Sequence, residues 1–298
     1  MSKVSKKFVI TGSNGFLGAA ILRRSESFNM SPVQVFSEPS SDNYNLKTLD
    51  DPETINLICK LKPEVWIHSG WWGVAGKDRN DPRQLSINIP TTLRTVALAH
   101  SVGCKQWIGV GSQAEFGPQN RILSEEDPML PSTTYGDAKR ISCHLSKELC
   151  KELKLDWSWI RVFSLYGPGD ADYWLIPSVI NQLKNNLSPK LTPGEQLWDY
   201  LYIDDAADAV LEVAATQTKG DFNIGSGVPV KVRTIIERIR EIMGSSASLD
   251  FGAIPYRDDQ IMHLQADISK IMSETKWTPK TSLDTGLKNT IRHFTEAA

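Results

Sequence analysis

The chain has 298 residues, enough to bury a large core as one big α/β domain or as a cofactor domain with a smaller lobe. Its 35 acidic residues nearly cancel its 33 basic ones, and no basic run or acidic tail occurs, which argues against a nucleic-acid groove or a polybasic membrane anchor and for a small-molecule partner. No apolar run reaches the about 18 residues of a membrane span, and MSKVSKKFVITG passes from a basic start straight into a strand, so a cytoplasmic protein is expected.

KKFVIT reads as the first strand, and TGSNGFLG follows it with Gly12, Gly15 and Gly18 at three-residue intervals before a helix near Ala19. A pyrophosphate site needs a tight turn with positive φ, a backbone the ligand can approach and close helix packing, and glycine meets all three demands. The helix N-terminus adds free N–H groups and a positive dipole end. VQVF is the second strand, with Ser37 at its end and Glu38 one step further out. A carboxylate closing that strand would bind ribose hydroxyls and repel a 2′-phosphate. Serine there leans toward NADP(H) over NAD(H), and Glu38 reads equally as a ribose contact or a solvated loop charge.

ETINLICKLK, EVWIHS, PTTLRTVALAHSVG and QWIGVGS continue the alternation of helix and strand, which predicts a doubly wound, Rossmann-like parallel sheet. His68, in the apolar run EVWIHSG, is expected to be a hydrogen-bonded core residue. Cys59, Cys104, Cys143 and Cys150 lack metal-ligand spacing and are expected to be reduced packing residues, so no metal site is predicted. From Tyr135 a long helix is predicted, with Ala138, Ile141, Leu145, Leu149 and Leu153 on one buried face. Tyr135 and Lys139, four residues apart at its start, project from the same face, and a nearby ammonium should lower the phenol pKa toward a working proton shuttle. WSWIRVFSLYG is a further strand and exit loop. Residues 1–165 are expected to form the cofactor domain, with about 196–224 returning to it, and 166–298 a smaller mixed α/β substrate lobe.

TGSNGFLG, Ser112 in GVGSQAEFG, YGDAK, RVFSLYGPG, WDYLYIDDAADAV and FNIGSG together resemble the extended short-chain dehydrogenase/reductase family of nucleotide-sugar enzymes, over essentially the whole chain. The resemblance implies an NAD(P)-dependent enzyme with a nucleotide-diphosphate sugar in the C-terminal lobe and a Ser112, Tyr135, Lys139 catalytic set. It also implies a homodimer paired through the Tyr135 helix and the helix around Thr91 to Ser101. Expected cofactor contacts are Gly12, Asn14, Gly15, Phe16, Leu17, Gly18, Ser37, Leu46, Gly70, Tyr135 and Lys139. Ser112 would hydrogen-bond a sugar oxygen, Tyr135 would exchange its proton, and Lys139 would hold the cofactor ribose.

Departures from the family pattern narrow the reaction. Members that dehydrate their sugar follow the hydroxyl residue with Asp and Glu, where this chain has Gln113 and Ala114. Glu115 comes one residue late and, in an extended segment, would point to the other face. Members similar to the GDP-fucose synthases use a Cys and a His at positions matching Ala114 and Trp174, and neither residue here can move a proton to or from carbon. Carbonyl/alcohol chemistry at one sugar carbon remains. The expectation is NADPH-dependent reduction of an NDP-4-keto-6-deoxyhexose, or a 3,6-dideoxy one. An NAD-dependent 4-epimerase is the alternative, and a non-catalytic dinucleotide-binding sensor or scaffold is a third reading. Expected substrate contacts are Ser112, Gln113, Ser164, Trp174, Trp198 and Arg257. Trp198 stands where an Arg often meets the nucleotide, so Arg257 is expected to supply the cation, and Trp198 reads as either core packing or a base-stacking face. Asp204 and Asp205 are expected to be capping and structural.

Overall fold

A computed structural model describes residues 5–35, 39–40, 43–44 and 51–296. Strands and helices alternate as the periodicity predicts. The first half carries β1 (Lys6–Thr11), α1 (Phe16–Arg24), β2 (Met30–Val35), α2 (Pro52–Leu61), β3 (Val65–His68), α3 (Ile89–Ser101), β4 (Gln106–Ser112), α4 (Thr134–Glu152) and β5 (Asp156–Val162). After α5 (Leu175–Lys184) come α6 (Ile203–Thr216), β6 (Gly220–Ile224) and α7 (Val232–Met243). The six strands form one parallel sheet in the order β2-β1-β3-β4-β5-β6. Because β1 neighbours both β2 and β3, the winding reverses there, which opens a crevice at the carboxyl ends of β1 and β3.

Period-2 alternation sends two apolar sets to opposite faces. Phe8, Ile10, Ile67, Ile108, Ile160 and Phe222 pack with Leu17 and Ile21 of α1 and Val210 and Val213 of α6. Val9, Trp66, Trp107, Trp157 and Trp159 face Val96 and Ala99 of α3 and Cys143 and Cys150 of α4. Those tryptophans change which side of α4 is inward. The helix buries Tyr135, Ala138, Lys139, Ser142, Cys143, Ser146 and Cys150, whereas Ile141 and Leu149 are half-buried and Leu145 is exposed. The expected leucine stripe is therefore not the buried face. Large indoles fill the interlayer space and small residues let the helix approach, with Trp157 Nε1 donating to Ser146 Oγ at 3.0 Å.

A second, mixed sheet combines Val230–Lys231, Leu197–Trp198, His263–Ala266 and Arg121–Leu123. Asp199 joins it to its surroundings: the fully buried carboxylate accepts from the backbone of Ser226 (2.6 Å), Gly227 (3.1 Å) and Ala266 (3.0 Å). Asp204 and Asp205 lie in the first turn of α6 and act structurally. Asp204 pairs with Arg23, and Asp205 accepts from the backbone of Lys280 and Thr281. The N-cap itself is Tyr202, so neither aspartate caps the helix.

Candidate active site

The glycine loop closes the carboxyl end of β1. Gly12 has φ +82°, and a Cβ there would lie 2.4 Å from the Gly70 backbone nitrogen, so the loops after β1 and β3 touch at the reversal point of the sheet. Gly15 is the N-cap of α1 and offers no side-chain cap, which leaves the first helical N–H groups open to an anion. This cradle fits a dinucleotide pyrophosphate. Leu17 is buried in the core, so only its backbone faces that task, while Asn14 is exposed and Phe16 half-buried. Ser37, Glu38 and Leu46 lie outside the described residues.

Across the crevice, β4 delivers Ser112 and α4 delivers Tyr135. The approach is tight because Gly136 has no side chain: a Cβ would come within 2.4 Å of the Ala114 carbonyl oxygen. Ser112 is buried, its Oγ accepts from the Ala114 N–H at 3.2 Å, and it acts on the Tyr135 phenol to lower its pKa. Lys139, one turn along, is buried too. Its Nζ donates to the Val110 carbonyl at 2.7 Å and sits 3.6 Å from the Trp71 ring centroid. The three residues are thus brought together. His68 lies beneath them, buried, with Nδ1 2.8 Å from Thr11 Oγ1, in keeping with a core histidine.

The electrostatics differ from the expected phenol activation by lysine. Burial pushes the Tyr135 phenol above its ordinary value, outweighing the hydrogen bond from Ser112 and the charge of Arg79. Lys139 is not among the groups that lower it. Burial pushes the Lys139 ammonium down to about 7, and His68 is pushed down to about 3 by burial and the nearby Lys139. Desolvation wins because Tyr135 and Lys139 are both buried, with the Trp71 ring T-shaped to the Tyr135 ring at a centroid separation of 6.0 Å.

Glu115 is withdrawn from the crevice by a cause other than strand alternation. Gln113–Glu115 is a tight 3-10 turn, and Glu115 completes a capping box by accepting from the Ser112 backbone N–H at 2.8 Å. The fully buried carboxylate also accepts from Trp159 Nε1 at 3.0 Å and from Arg161 Nε at 2.7 Å. Arg161 in turn reaches Asp221 at 2.7 Å. Gln113 Oε1 is buried with no hydrogen-bond partner among the described residues.

The expected substrate contacts are spread over several elements. Trp198 Nε1 donates to Ser164 Oγ, so the two unusual residues occupy one place and explain each other. Trp174 is the N-cap of α5, and its ring lies tilted at 47° to that of Tyr173 with centroids 5.3 Å apart. Arg257 is 76% exposed, with Asp259 at 3.5 Å, in the loop that Tyr256 ties to the Glu195 backbone. Among the described residues, neither Trp174 nor Arg257 hydrogen-bonds with Ser112, Tyr135 or Lys139. One residue close to the phenol, Arg79, was not legible in the sequence, because the loop that carries it folds back onto α4 from 56 positions away.

Three comparisons extend this geometry. The model of the NAD dependent epimerase/dehydratase family matches residues 8–225. The chain is 25% identical to the CDP-abequose synthase of Salmonella muenchen, covering 97% of this chain and 98% of that one. It is 28% identical to the dTDP-4-dehydro-6-deoxyglucose reductase of Escherichia coli over 95% of this chain and 96% of that one. The fold is shared with the UDP-glucose 4-epimerase of Thermotoga maritima solved with UDP-glucose, at TM-score 0.84 and 22% identity over 98% of this chain and 99% of that one.

Proposed function

This chain belongs to the NAD dependent epimerase/dehydratase family, as an NAD(P)-dependent enzyme of the nucleotide-sugar type, and we propose that it uses NADPH to reduce the 4-keto group of an NDP-4-keto-6-deoxyhexose or 3,6-dideoxyhexose. The observation that carries this reading is the buried Ser112, Tyr135 and Lys139 set, with Gln113 and Ala114 following Ser112 in place of a carboxylate pair; burial raises the phenol's pKa above its ordinary value. A protonated phenol is the form a carbonyl reduction consumes.

The glycine loop and the α1 N-terminus hold the cofactor pyrophosphate, and Lys139 holds the ribose. The bound cofactor supplies the hydride. Ser112 donates to the C4 oxygen and Tyr135 transfers its proton to that oxygen as negative charge develops. Gln113, Ala114 and Trp174 offer no base for a carbon-bound proton, and Glu115 is committed to Arg161 and the Ser112 backbone. The Ser164–Trp198 pair shapes the nucleotide subsite, and Arg257, with its high exposure, supplies a cation for the diphosphate. Preference for NADPH rests on the sequence alone, in which Ser37 follows VQVF where a ribose-binding carboxylate would be expected.

A 4-epimerase would use the same three residues. In its first step Tyr135 would remove the C4 hydroxyl proton. We also propose a homodimer through α3 and α4, supported by the exposed Leu145 and half-buried Ile141 on the outer side of α4. A monomer in sedimentation at micromolar concentration would overturn that assembly.

The functional reading is tested with CDP-, dTDP- and GDP-4-keto-6-deoxy sugars plus NADPH or NADH, following absorbance loss, beside UDP-sugars with NAD alone. Stoichiometric oxidation of NADPH by a keto sugar supports reduction. Interconversion of UDP-sugars without net cofactor change contradicts it.

A further inference from the structure

The loop between β3 and α3 is held rigid by side chains that cap main chain. Gln84, fully buried, accepts from Trp71 Nε1 at 2.9 Å and donates to the carbonyls of Gly73 (2.6 Å) and Asp78 (3.1 Å). Asn88 exchanges hydrogen bonds with both backbone groups of Trp72, at 2.9 and 3.0 Å. The loop then clamps the start of α4: the Arg79 carbonyl accepts from the Tyr135 N–H at 2.8 Å, and Asn80 Oδ1 accepts from the Thr134 N–H at 3.1 Å. This clamp anchors the Arg79 backbone beside the tyrosine that its carbonyl caps.

Its guanidinium carbon lies 5.4 Å from the Tyr135 ring centroid, and its Nε is buried without a hydrogen-bond partner among the described residues. Lys139 Nζ is 6.0 Å from the same centroid but is engaged by Val110 and Trp71. We propose that Arg79 is a positioning residue for the reaction: a fixed cation, delivered by the β3–α3 loop, that stabilises the negative charge Tyr135 acquires as it gives up its proton. This rests on the reading of Tyr135 as the proton donor.

The groups facing the phenol are Ser112 at the end of β4, Glu115 in the turn after it, Arg79 in the loop and Lys139 on α4 itself. Arg79 favours phenolate and Glu115 opposes it, while Lys139 loses its charge near neutrality. Guanidinium keeps its charge at every working pH, so Arg79 can act where the lysine is neutral. A unit charge held this close to a buried phenol favours its ionised form, so its removal should move the titration upward.

The test places 3,5-difluorotyrosine at position 135, which brings the phenol titration into a range the fold tolerates, and follows it by 19F NMR without substrate. Arg79→Met and Arg79→Gln should each raise the titration midpoint by on the order of one pH unit or more, and Arg79→Lys should stay near the parent value. Arg83→Gln, in the same loop and paired with Asp81 at 2.9 Å, is the control for net charge and should not shift it. In the natural tyrosine enzyme, Arg79→Met should move the basic limb of kcat/KM in the same direction. Midpoints for both neutral variants equal to the parent would overturn the proposal, as would an equal shift in Arg83→Gln. Since the NMR titration needs no turnover, failure of the reductase reading and failure of the Arg79 role are separate outcomes.

Discussion

Replacing Lys139 with methionine should stabilise the protein while removing its cofactor-holding cation. The ammonium falls from 10.5 to about 7 on folding, which at about 1.4 kcal/mol per pH unit costs the native state roughly 4 kcal/mol at pH 7. Methionine forfeits the 2.7 Å bond to Val110 and the contact with Trp71, which together offset about 1–2 kcal/mol. A net gain of about 2 kcal/mol remains. The sign follows from a depressed lysine: below pH 7 the penalty is full, and it shrinks as pH rises toward 10.5, where both states are neutral. Urea denaturation of Lys139→Met and the parent at pH 7 and again near pH 9.5 measures both the gain and its decline. A variant less stable than the parent at pH 7, or a gap that does not narrow with pH, would refute the desolvation argument.

Tyr135→Phe removes the proton donor but leaves the glycine cradle intact, so turnover should fall on the order of a hundredfold or more with little change in cofactor affinity, read from steady-state kinetics and a cofactor titration. Gly12→Ala forces a side chain against the Gly70 backbone at a positive φ and should weaken NAD(P) binding on the order of tenfold or more, measured by fluorescence of the reduced cofactor. Glu115→Gln leaves the buried Arg161 under-paired and should cost about 3 kcal/mol in chemical denaturation. The added change Arg161→Met should recover part of that loss, because the pair is then absent rather than broken.

The parallel sheet was legible because it depends on local pattern. QWIGVGS, a run alternating large apolar residues with small ones and ended by a hydroxyl, is β4 residue for residue, and the glycine triad follows β1 as its spacing requires. What the sequence concealed depends on partners far along the chain. Glu115 is held by Arg161 from 46 positions away, so alternation within its own segment misjudged why it leaves the crevice. The buried face of α4 was misread because hydrophobic spacing favours the leucines, whereas tryptophans from neighbouring strands select the small side. Trp198 looked like a missing cation until its hydrogen bond to Ser164 joined the two departures. Arg79 carries no local signal, since only the capping of α4 by its carbonyl brings it beside the phenol.

Reduction at one sugar carbon is tested most directly by isotopic labelling. NADPH carrying deuterium at C4 of the nicotinamide is incubated with the keto sugar that the substrate panel selects, in ordinary water and, in parallel with unlabelled cofactor, in deuterated water. Products are read by NMR and mass spectrometry. Single-site carbonyl reduction predicts one deuterium at sugar C4 from the labelled cofactor and no enzyme-dependent deuterium at C3 or C5 from the solvent. Solvent deuterium at C3 or C5, or a keto sugar formed from an intact NDP-hexose, would contradict it and would require a carbon base that Gln113, Ala114 and Trp174 cannot supply.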